Sequence, residues 1–121
     1  MPGKRKILLL LVAGLLACAG SAAQAAGALA VGTCNGDGWS YNWPTIAKAE
    51  SVAMANCTAK GDTCQVVVTM IRACGAFAVS GTCGARGWGV ASSRATAESI
   101  ALAQCRSYGG AACALRAWVC D

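Results

Sequence analysis

The chain of 121 residues contains no histidine, and it has few acidic and few aromatic residues. Without imidazole, the sequence excludes a Ser-His-Asp triad, a Cys-His nucleophile and a histidine metal site. Charged residues make up 12% of the chain, which is about half the usual share. The apolar fraction of 56% argues against disorder, because disordered chains combine low hydrophobicity with high charge. A chain of this length is expected to form one domain.

The first 25 residues have the layout of a secretory signal peptide. Basic residues at positions 4–6 precede 11 apolar residues at positions 7–17, and Ala23-Gln24-Ala25 fits an A-x-A cleavage site. The apolar run is too short to span the roughly 30 Å of a bilayer core. We therefore expect residues 1–25 to be removed, leaving residues 26–121 as one exported domain, secreted or periplasmic, with no membrane span.

Cys18 allows a second route of export. The sequence Leu15-Leu16-Ala17-Cys18 resembles a bacterial lipobox, in which Cys18 would become an acylated N-terminus that tethers the protein to a membrane. The alternative is a chance cysteine in a discarded leader, which the A-x-A site favours. Either route leaves eight cysteines in the exported part, and an even number in a short exported chain predicts a disulfide framework.

The exported part repeats itself. Residues 49–57 return at 97–105 with six identities in nine positions, and the Gly-Thr-Cys sequence at 32–34 returns at 81–83. We place repeat one at 27–74 and repeat two at 76–120. Two copies are too few for a solenoid. The repeat therefore predicts one pseudo-twofold domain in which both copies share a core.

Each copy has the pattern strand, strand, helix, strand, which predicts a small disulfide-rich α+β fold. Thr45 and Ser93 are the predicted N-caps of the two helices. The predicted strands cover residues 27–31, 38–42, 64–71, 76–80, 87–91 and 113–119. Small residues spaced four apart form one buried stripe on each helix, at positions 49, 53, 57 and 97, 101, 105. Val52 and Ile100 flank this stripe, and we expect both to reach the core.

The cysteine spacing predicts two short-range disulfides. Cys57 ends a helix and Cys64 begins the next strand, and Cys105 and Cys113 repeat the arrangement; a loop of this length can bring the Cα atoms within disulfide reach. Equivalent positions that meet across the pseudo-axis would complete a symmetric set. That set adds Cys34–Cys83 and Cys74–Cys120, although other symmetric pairings are open.

Neither a metal nor another cofactor is expected. The cysteine spacing is not that of a C-x-x-C zinc site, and a catalytic thiol would lack a base.

These residues resemble a known family. The segment Trp39-Ser40-Tyr41-Asn42-Trp43-Pro44, the run 64–68 and the run 72–79 are similar to the exported bacterial domain-of-unknown-function family 4189, as are 87–89, 97–105 and 116–120. The resemblance covers nearly the whole exported part. It implies a small secreted or periplasmic domain and supplies neither an activity nor catalytic residues.

Two sets of side chains are candidate sites. Trp39, Tyr41 and Trp43 form an aromatic cluster that could stack on sugar rings or on a protein partner. Because Trp88 occupies the place of Trp39 in the second copy, a shared packing role for both is the competing interpretation. Glu50 and Glu98 could form a glycosidase-like acid pair, although each stands inside a predicted helix.

The sequence therefore predicts an exported, non-enzymatic binding module of unknown ligand, such as a protein inhibitor, an immunity protein or a secreted effector. A protein partner is the first expectation. A cell-wall or glycan-binding module using the loop aromatics is the alternative, and a weak hydrolase using the two glutamates is a further one. No nucleic-acid partner is expected, because removing the leader leaves a formal net charge of about +2 and the basic residues are scattered singly.

Overall fold

The computed structural model describes residues 25–34 and 36–121, over which the chain forms six strands and two helices. The elements are β1 (Ala26–Gly32), β2 (Asp37–Trp43), α1 (Ile46–Thr58), β3 (Cys64–Ile71), β4 (Cys74–Ser80), β5 (Arg86–Ala91), α2 (Arg94–Ser107) and β6 (Cys113–Cys120). The predicted order of strand, strand, helix and strand thus occurs twice. Residues 1–24 of the predicted signal peptide, with Cys18, lie outside the described residues.

Each repeat forms its own three-stranded antiparallel sheet. The strand orders are β2-β1-β3 and β5-β4-β6, so the first strand of each repeat is central. The register shifts between Leu29 and Ala30 against β3, and between Phe77 and Ala78 against β6. These two bulges occupy equivalent positions, so the pseudo-twofold relation extends to single residues.

The two sheets pack face to face between two outer helices. Ala26, Ala28 and Ala30 of β1 pack against α1, whereas Leu29 faces the other way and meets Phe77 of the second sheet. The second repeat has the same alternation, with alanines of β4 packed against α2. The layers are therefore helix, sheet, sheet and helix, and the predicted shared core lies between the sheets.

Both helices begin where the sequence predicts. The Thr45 hydroxyl accepts a hydrogen bond from the backbone N–H of Lys48, and the Ser93 hydroxyl accepts one from the N–H of Thr96. The small-residue stripes are fully buried: Ala49, Ala53, Cys57, Ala97, Ala101 and Cys105. A side chain at Gly38 of β2 would collide with the backbone of α1 at Ala53, so the helix rests almost directly on the strand.

Ile100 does not reach the core, contrary to expectation. Its side chain is 42% exposed, and Val52 at the equivalent position of α1 is half-buried. Ile100 lies beside Gly89 of β5, which is an edge strand, so its side chain is at the margin of the helix–sheet contact.

Four disulfides join the eight cysteines between positions 34 and 120. Cys57–Cys64 and Cys105–Cys113 connect the end of each helix to the next strand, as expected from their spacing. The other two bonds are Cys34–Cys83 and Cys74–Cys120. All eight sulfurs are therefore committed to disulfides and are not available as metal ligands.

The predicted pair Cys74–Cys120 forms, but it does not join equivalent positions across the pseudo-axis, as was expected. β4 begins at Cys74, so Cys74 belongs to the second repeat and pairs in register with Cys120 on the neighbouring strand β6. The equivalent positions in the first repeat are Ala26 and Ile71, which are also register partners. Of the four disulfides, only Cys34–Cys83 joins equivalent positions of the two repeats.

Candidate functional site

A cavity of about 470 Å³ opens at the end of the sandwich where β1 ends and β3 begins. Both repeats line it. The first contributes Val31 and Val67, and the second contributes Arg86, Trp88 and Tyr108. Threonine and glutamine side chains from Thr33, Thr63 and Gln65 complete the rim. We call this cavity the Arg86 pocket; its apolar wall with a few polar groups is typical of ligand-binding cavities.

Asp62 holds the β1–β2 loop beside the pocket. One carboxylate oxygen accepts hydrogen bonds from the Thr33 hydroxyl at 2.5 Å and the Thr63 N–H at 3.0 Å. The other accepts from the N–H groups of Cys34 at 2.8 Å and Gly36 at 2.9 Å. The Thr33 hydroxyl, followed by the backbone amides, holds the pKa of Asp62 well below its usual range. Two loop amides and one rim hydroxyl are thus fixed in place before any ligand arrives.

Arg86 is the charged residue of the pocket. Its guanidinium donates a hydrogen bond to the carbonyl oxygen of Cys34, next to the Cys34–Cys83 disulfide. Partial burial lowers the pKa of Arg86, and the nearby Asp62 carboxylate opposes this shift. Across residues 25–34 and 36–121, no carboxylate lies within ion-pair distance of Arg86. The guanidinium is therefore partly dehydrated without a carboxylate bonded to it.

The position related to Arg86 by the pseudo-twofold has a different chemistry. Its charges lie near enough to act on Arg86: besides burial and Asp62, Arg116 lowers the pKa of Arg86 and Asp37 raises it. Asp37 stands where Arg86 stands in the second repeat, since Asp37 pairs in register with Val31 and Arg86 with Val79. Asp37 is buried, and its Oδ1 lies 3.2 Å from Lys60 Nζ and 3.2 Å from Arg116 Nε. The Asp37 carboxylate is therefore paired with two cations inside the molecule.

The three members of the Asp37 cluster all have counterparts at the pocket. Lys60 precedes Gly61, and Tyr108 precedes Gly109; both glycines have positive φ at the end of a helix. Arg116 lies at the β6 bulge, and Val67 lies at the equivalent β3 bulge. The charged set Asp37, Lys60 and Arg116 is thus replaced by Arg86, Tyr108 and Val67. The replacement leaves a cavity where the first side has an ion pair.

The Arg86 pocket was not predicted from the sequence. Each residue of it looks ordinary in isolation, because an arginine beside a glycine and a tyrosine after a helix are common. A signal was nevertheless present in the aligned repeats. The three charged residues Asp37, Lys60 and Arg116 are replaced in the other copy by residues of different charge or polarity. Differences between otherwise similar copies could have identified the site.

The predicted aromatic cluster is divided by the fold. Trp39 packs between the sheets, as Trp88 does at the equivalent position, which favours the packing interpretation for both. Asn42 has a φ of 62°, and beyond it Trp43 packs against the helix side of its sheet, with the Lys48 ammonium 5.7 Å from the ring centre. Tyr41 is 60% exposed.

The three aromatic residues still border one shallow groove of about 440 Å³ along edge strand β2. We call it the β2 groove; its other lining residues are Ser40, Asn42, Val52 and Asn56.

The two predicted acid residues do not form a site. Glu50 lies on α1 and Glu98 on α2, so both sheets lie between them. Stacked sheets alone are about 10 Å apart, which already exceeds the carboxyl separation of about 5–9.5 Å that glycoside hydrolysis uses. Glu98 is also paired with Arg94 on its own helix. The expectation of a paired-carboxylate hydrolase is therefore wrong on geometry.

The fold and its cross-links define a class of protein: a small, disulfide-stapled α+β domain built from two copies of one unit. Four disulfides are typical of domains that fold in an oxidising compartment, extracellular or periplasmic. Neither helix in the described part of the chain is long and apolar enough to cross a membrane.

Residues 26–120 match the family model described as "Domain of unknown function (DUF4189)", and the chain belongs to that family. No curated protein and no solved structure matches the chain.

Proposed function

We propose that the protein is an exported, non-enzymatic binding module that receives part of a protein partner in the Arg86 pocket. The observation that carries the proposal is the cavity of about 470 Å³, lined by both repeats and containing one arginine without a bonded carboxylate. Its volume is in the range of small-ligand cavities, and it would accept a side chain or a chain terminus.

The rigid rim supports a binding role. The Cys34–Cys83 disulfide crosses from one repeat to the other beside the pocket, and Asp62 accepts three hydrogen bonds from Thr33, Cys34 and Gly36. A cavity already formed in the free protein loses less conformational entropy on binding than one that must be ordered. An inhibitor, an immunity protein or a secreted effector would each use a surface of this kind.

The β2 groove supports glycan binding as the second candidate. Tyr41 is 60% exposed on an edge strand, next to Trp43 and the side chain of Asn56. An aromatic face beside an amide is a combination that can hold a sugar ring, by stacking and by hydrogen bonding.

Two tyrosines allow a matched test of the two candidate sites. Tyr108 is 65% exposed on the rim of the Arg86 pocket, and Tyr41 is 60% exposed at the β2 groove. Each is replaced in turn by the photo-crosslinker p-benzoylphenylalanine, and the exported protein is irradiated in its own cells. We expect a protein adduct from position 108 and none from position 41. An adduct from position 41 alone, or from neither position, would contradict the proposal.

A sedimentation assay with purified peptidoglycan tests the second candidate. Pelleting with peptidoglycan that is lost in Trp43→Ala, and retained in Arg86→Gln, would favour the β2 groove. Absence of pelleting by the unmodified protein would end the glycan interpretation.

A further inference from the structure

The strongest indication of what the Arg86 pocket binds comes from its pseudo-symmetric counterpart. On the Asp37 side, a guanidinium from one repeat pairs with a carboxylate from the other, with Arg116 Nε 3.2 Å from Asp37 Oδ1. On the Arg86 side, the guanidinium is present, but the position facing it across the sheets is Val67. The pocket therefore contains one charged member of a pair, whereas the pseudo-symmetric site contains both members.

We propose that the Arg86 pocket binds a carboxylate attached to an apolar group. The carboxylate pairs with Arg86 from the side of Val67, the position that Arg116 occupies opposite Asp37. This inference rests on the proposed binding role of the pocket and specifies what is recognised there. Arginine suits this task because its planar guanidinium can donate two parallel hydrogen bonds to a carboxylate. One of its nitrogens already donates to the Cys34 carbonyl, which orients the group at the pocket wall.

The remaining walls favour an apolar body behind the carboxylate. Val31, Val67 and the half-buried Trp88 provide the apolar surface, and the exposed Tyr108 ring stands at the rim. At the pseudo-symmetric position, the flexible cation Lys60 takes the place of Tyr108 and pairs with Asp37. The change from lysine to tyrosine exchanges an internal counter-ion for an aromatic contact surface, as expected of a site that receives its anion from outside.

Asp62 does not fill this role. Its charge acts on Arg86, but its two oxygens already accept four hydrogen bonds from the 33–36 loop and Thr63. Asp37, whose charge also acts on Arg86, is paired with Lys60 and Arg116. Neither Asp62 nor Asp37 forms an ion pair with Arg86. The Asp62 carboxylate is thus committed to the rim, and Arg86 retains donors for a ligand.

The test measures dissociation constants by calorimetry and by amide chemical shifts. Benzoate and hexanoate are compared with the uncharged benzamide and hexanamide. A short acetylated peptide ending in leucine is compared in its free-acid and amidated forms. We expect each carboxylate to bind at least about tenfold more tightly than its amide, which is the scale of one charge-assisted hydrogen bond. Tighter binding of the free-acid peptide than of the small acids assigns the carboxylate to a chain terminus, and the reverse order assigns it to a free acid.

Two pairs of variants separate recognition from folding. Arg86→Gln should weaken carboxylate binding at least about tenfold, whereas Arg72→Gln removes an equal charge at the opposite end of the strands and should have no effect. Val67→Asp places a carboxylate opposite Arg86 and should abolish binding by forming the internal pair. Val67→Asn has nearly the same shape without the charge and should retain binding within a few-fold.

Three results would overturn the carboxylate assignment: equal affinity for acids and amides, Arg86→Gln binding within twofold of the unmodified protein, or Val67→Asp binding as tightly as Val67→Asn. If a partner is crosslinked at position 108 and any of these results is also obtained, the proposed binding function is supported but the carboxylate specificity is not.

Discussion

At the scale of single residues, Asp62 shows how one carboxylate can organise a loop. Thr33, Cys34, Gly36 and Thr63 donate hydrogen bonds to it and hold its pKa far below the value of about 3.9 expected in the unfolded chain. A group whose pKa is lower in the folded state stabilises the fold above the unfolded pKa, and this contribution is lost as the pH falls. The acid sensitivity of the fold should therefore depend on Asp62.

We expect Asp62→Asn to lower the unfolding midpoint at pH 7 and to make it less sensitive to acid between pH 5 and pH 2. An asparagine amide nitrogen cannot accept the hydrogen bonds of two loop amides, so at least one donor loses its partner. Urea unfolding followed by tryptophan fluorescence at a series of pH values measures both effects. Unchanged stability at pH 7 would show that the loop does not depend on this residue.

Asp121 should behave in the opposite way. Burial raises its pKa, and the nearby backbone amides of Asn42 and Ala73 oppose part of this shift. A carboxyl group whose pKa is raised in the folded state destabilises the fold once the pH exceeds its unfolded value of about 3.9. Asp121→Asn should therefore raise the melting temperature at pH 7 and leave it unchanged near pH 3. A lower melting temperature at pH 7 would contradict the sign of this argument.

At the scale of secondary-structure elements, each helix makes its sheet contact through a stripe of small residues. Ala53 is fully buried in α1, whereas Ala55, on the same helix, is exposed. We expect Ala53→Leu to destabilise the protein by about 1–3 kcal/mol through overpacking. The matched control, Ala55→Leu, should change stability by less than about 0.5 kcal/mol, because surface substitutions usually do. Equal effects of the two changes in thermal unfolding would contradict the close helix contact.

The elements themselves could be predicted because their signals are local. The hydroxyl N-caps at Thr45 and Ser93, the glycines that follow the helices at positions 61 and 109, and the internal repeat together indicate the helices, the strands and their order. The position of Cys74 could not be predicted, because it depends on which strand begins there and on a register that involves residues about 46 positions away in the chain. The predicted burial of Ile100 is wrong for a related reason. Helical periodicity indicates which face of α2 carries Ile100, but it does not indicate how far the sheet beneath that face extends.

At the scale of the whole molecule, the second repeat has a disulfide between two strands, and the first repeat has the same strand register at that place without the cysteines. Cys74 and Cys120 face each other on β4 and β6, and Ala26 and Ile71 are their equivalents on β1 and β3. We expect the double variant Ala26→Cys, Ile71→Cys to form a fifth disulfide, because the backbone register is the same. Mass spectrometry after alkylation should find both new thiols oxidised. The control pair Ala26→Cys, Thr69→Cys is not in register and should stay reduced; oxidation of both pairs alike would contradict the symmetry argument.

The same comparison shows why the pocket could not be read from composition or from motifs. A binding site made by a difference between two copies becomes visible only when the three-dimensional equivalence of the copies is known. Asp37 and Arg86 are each a charged residue directly before a Gly-Trp sequence. Only the structure shows that Asp37 pairs with Arg116, whereas Arg86 faces Val67.

The Cys34–Cys83 bridge closes the two halves into a ring, since the peptide chain at residues 72–73 joins them at one end of the strands and the sulfur bridge joins them at the other. A protease that cut the connecting turn would leave a nicked but undivided molecule, with both walls of the cavity still in place. Complete separation would require both hydrolysis of the peptide chain and reduction of this disulfide.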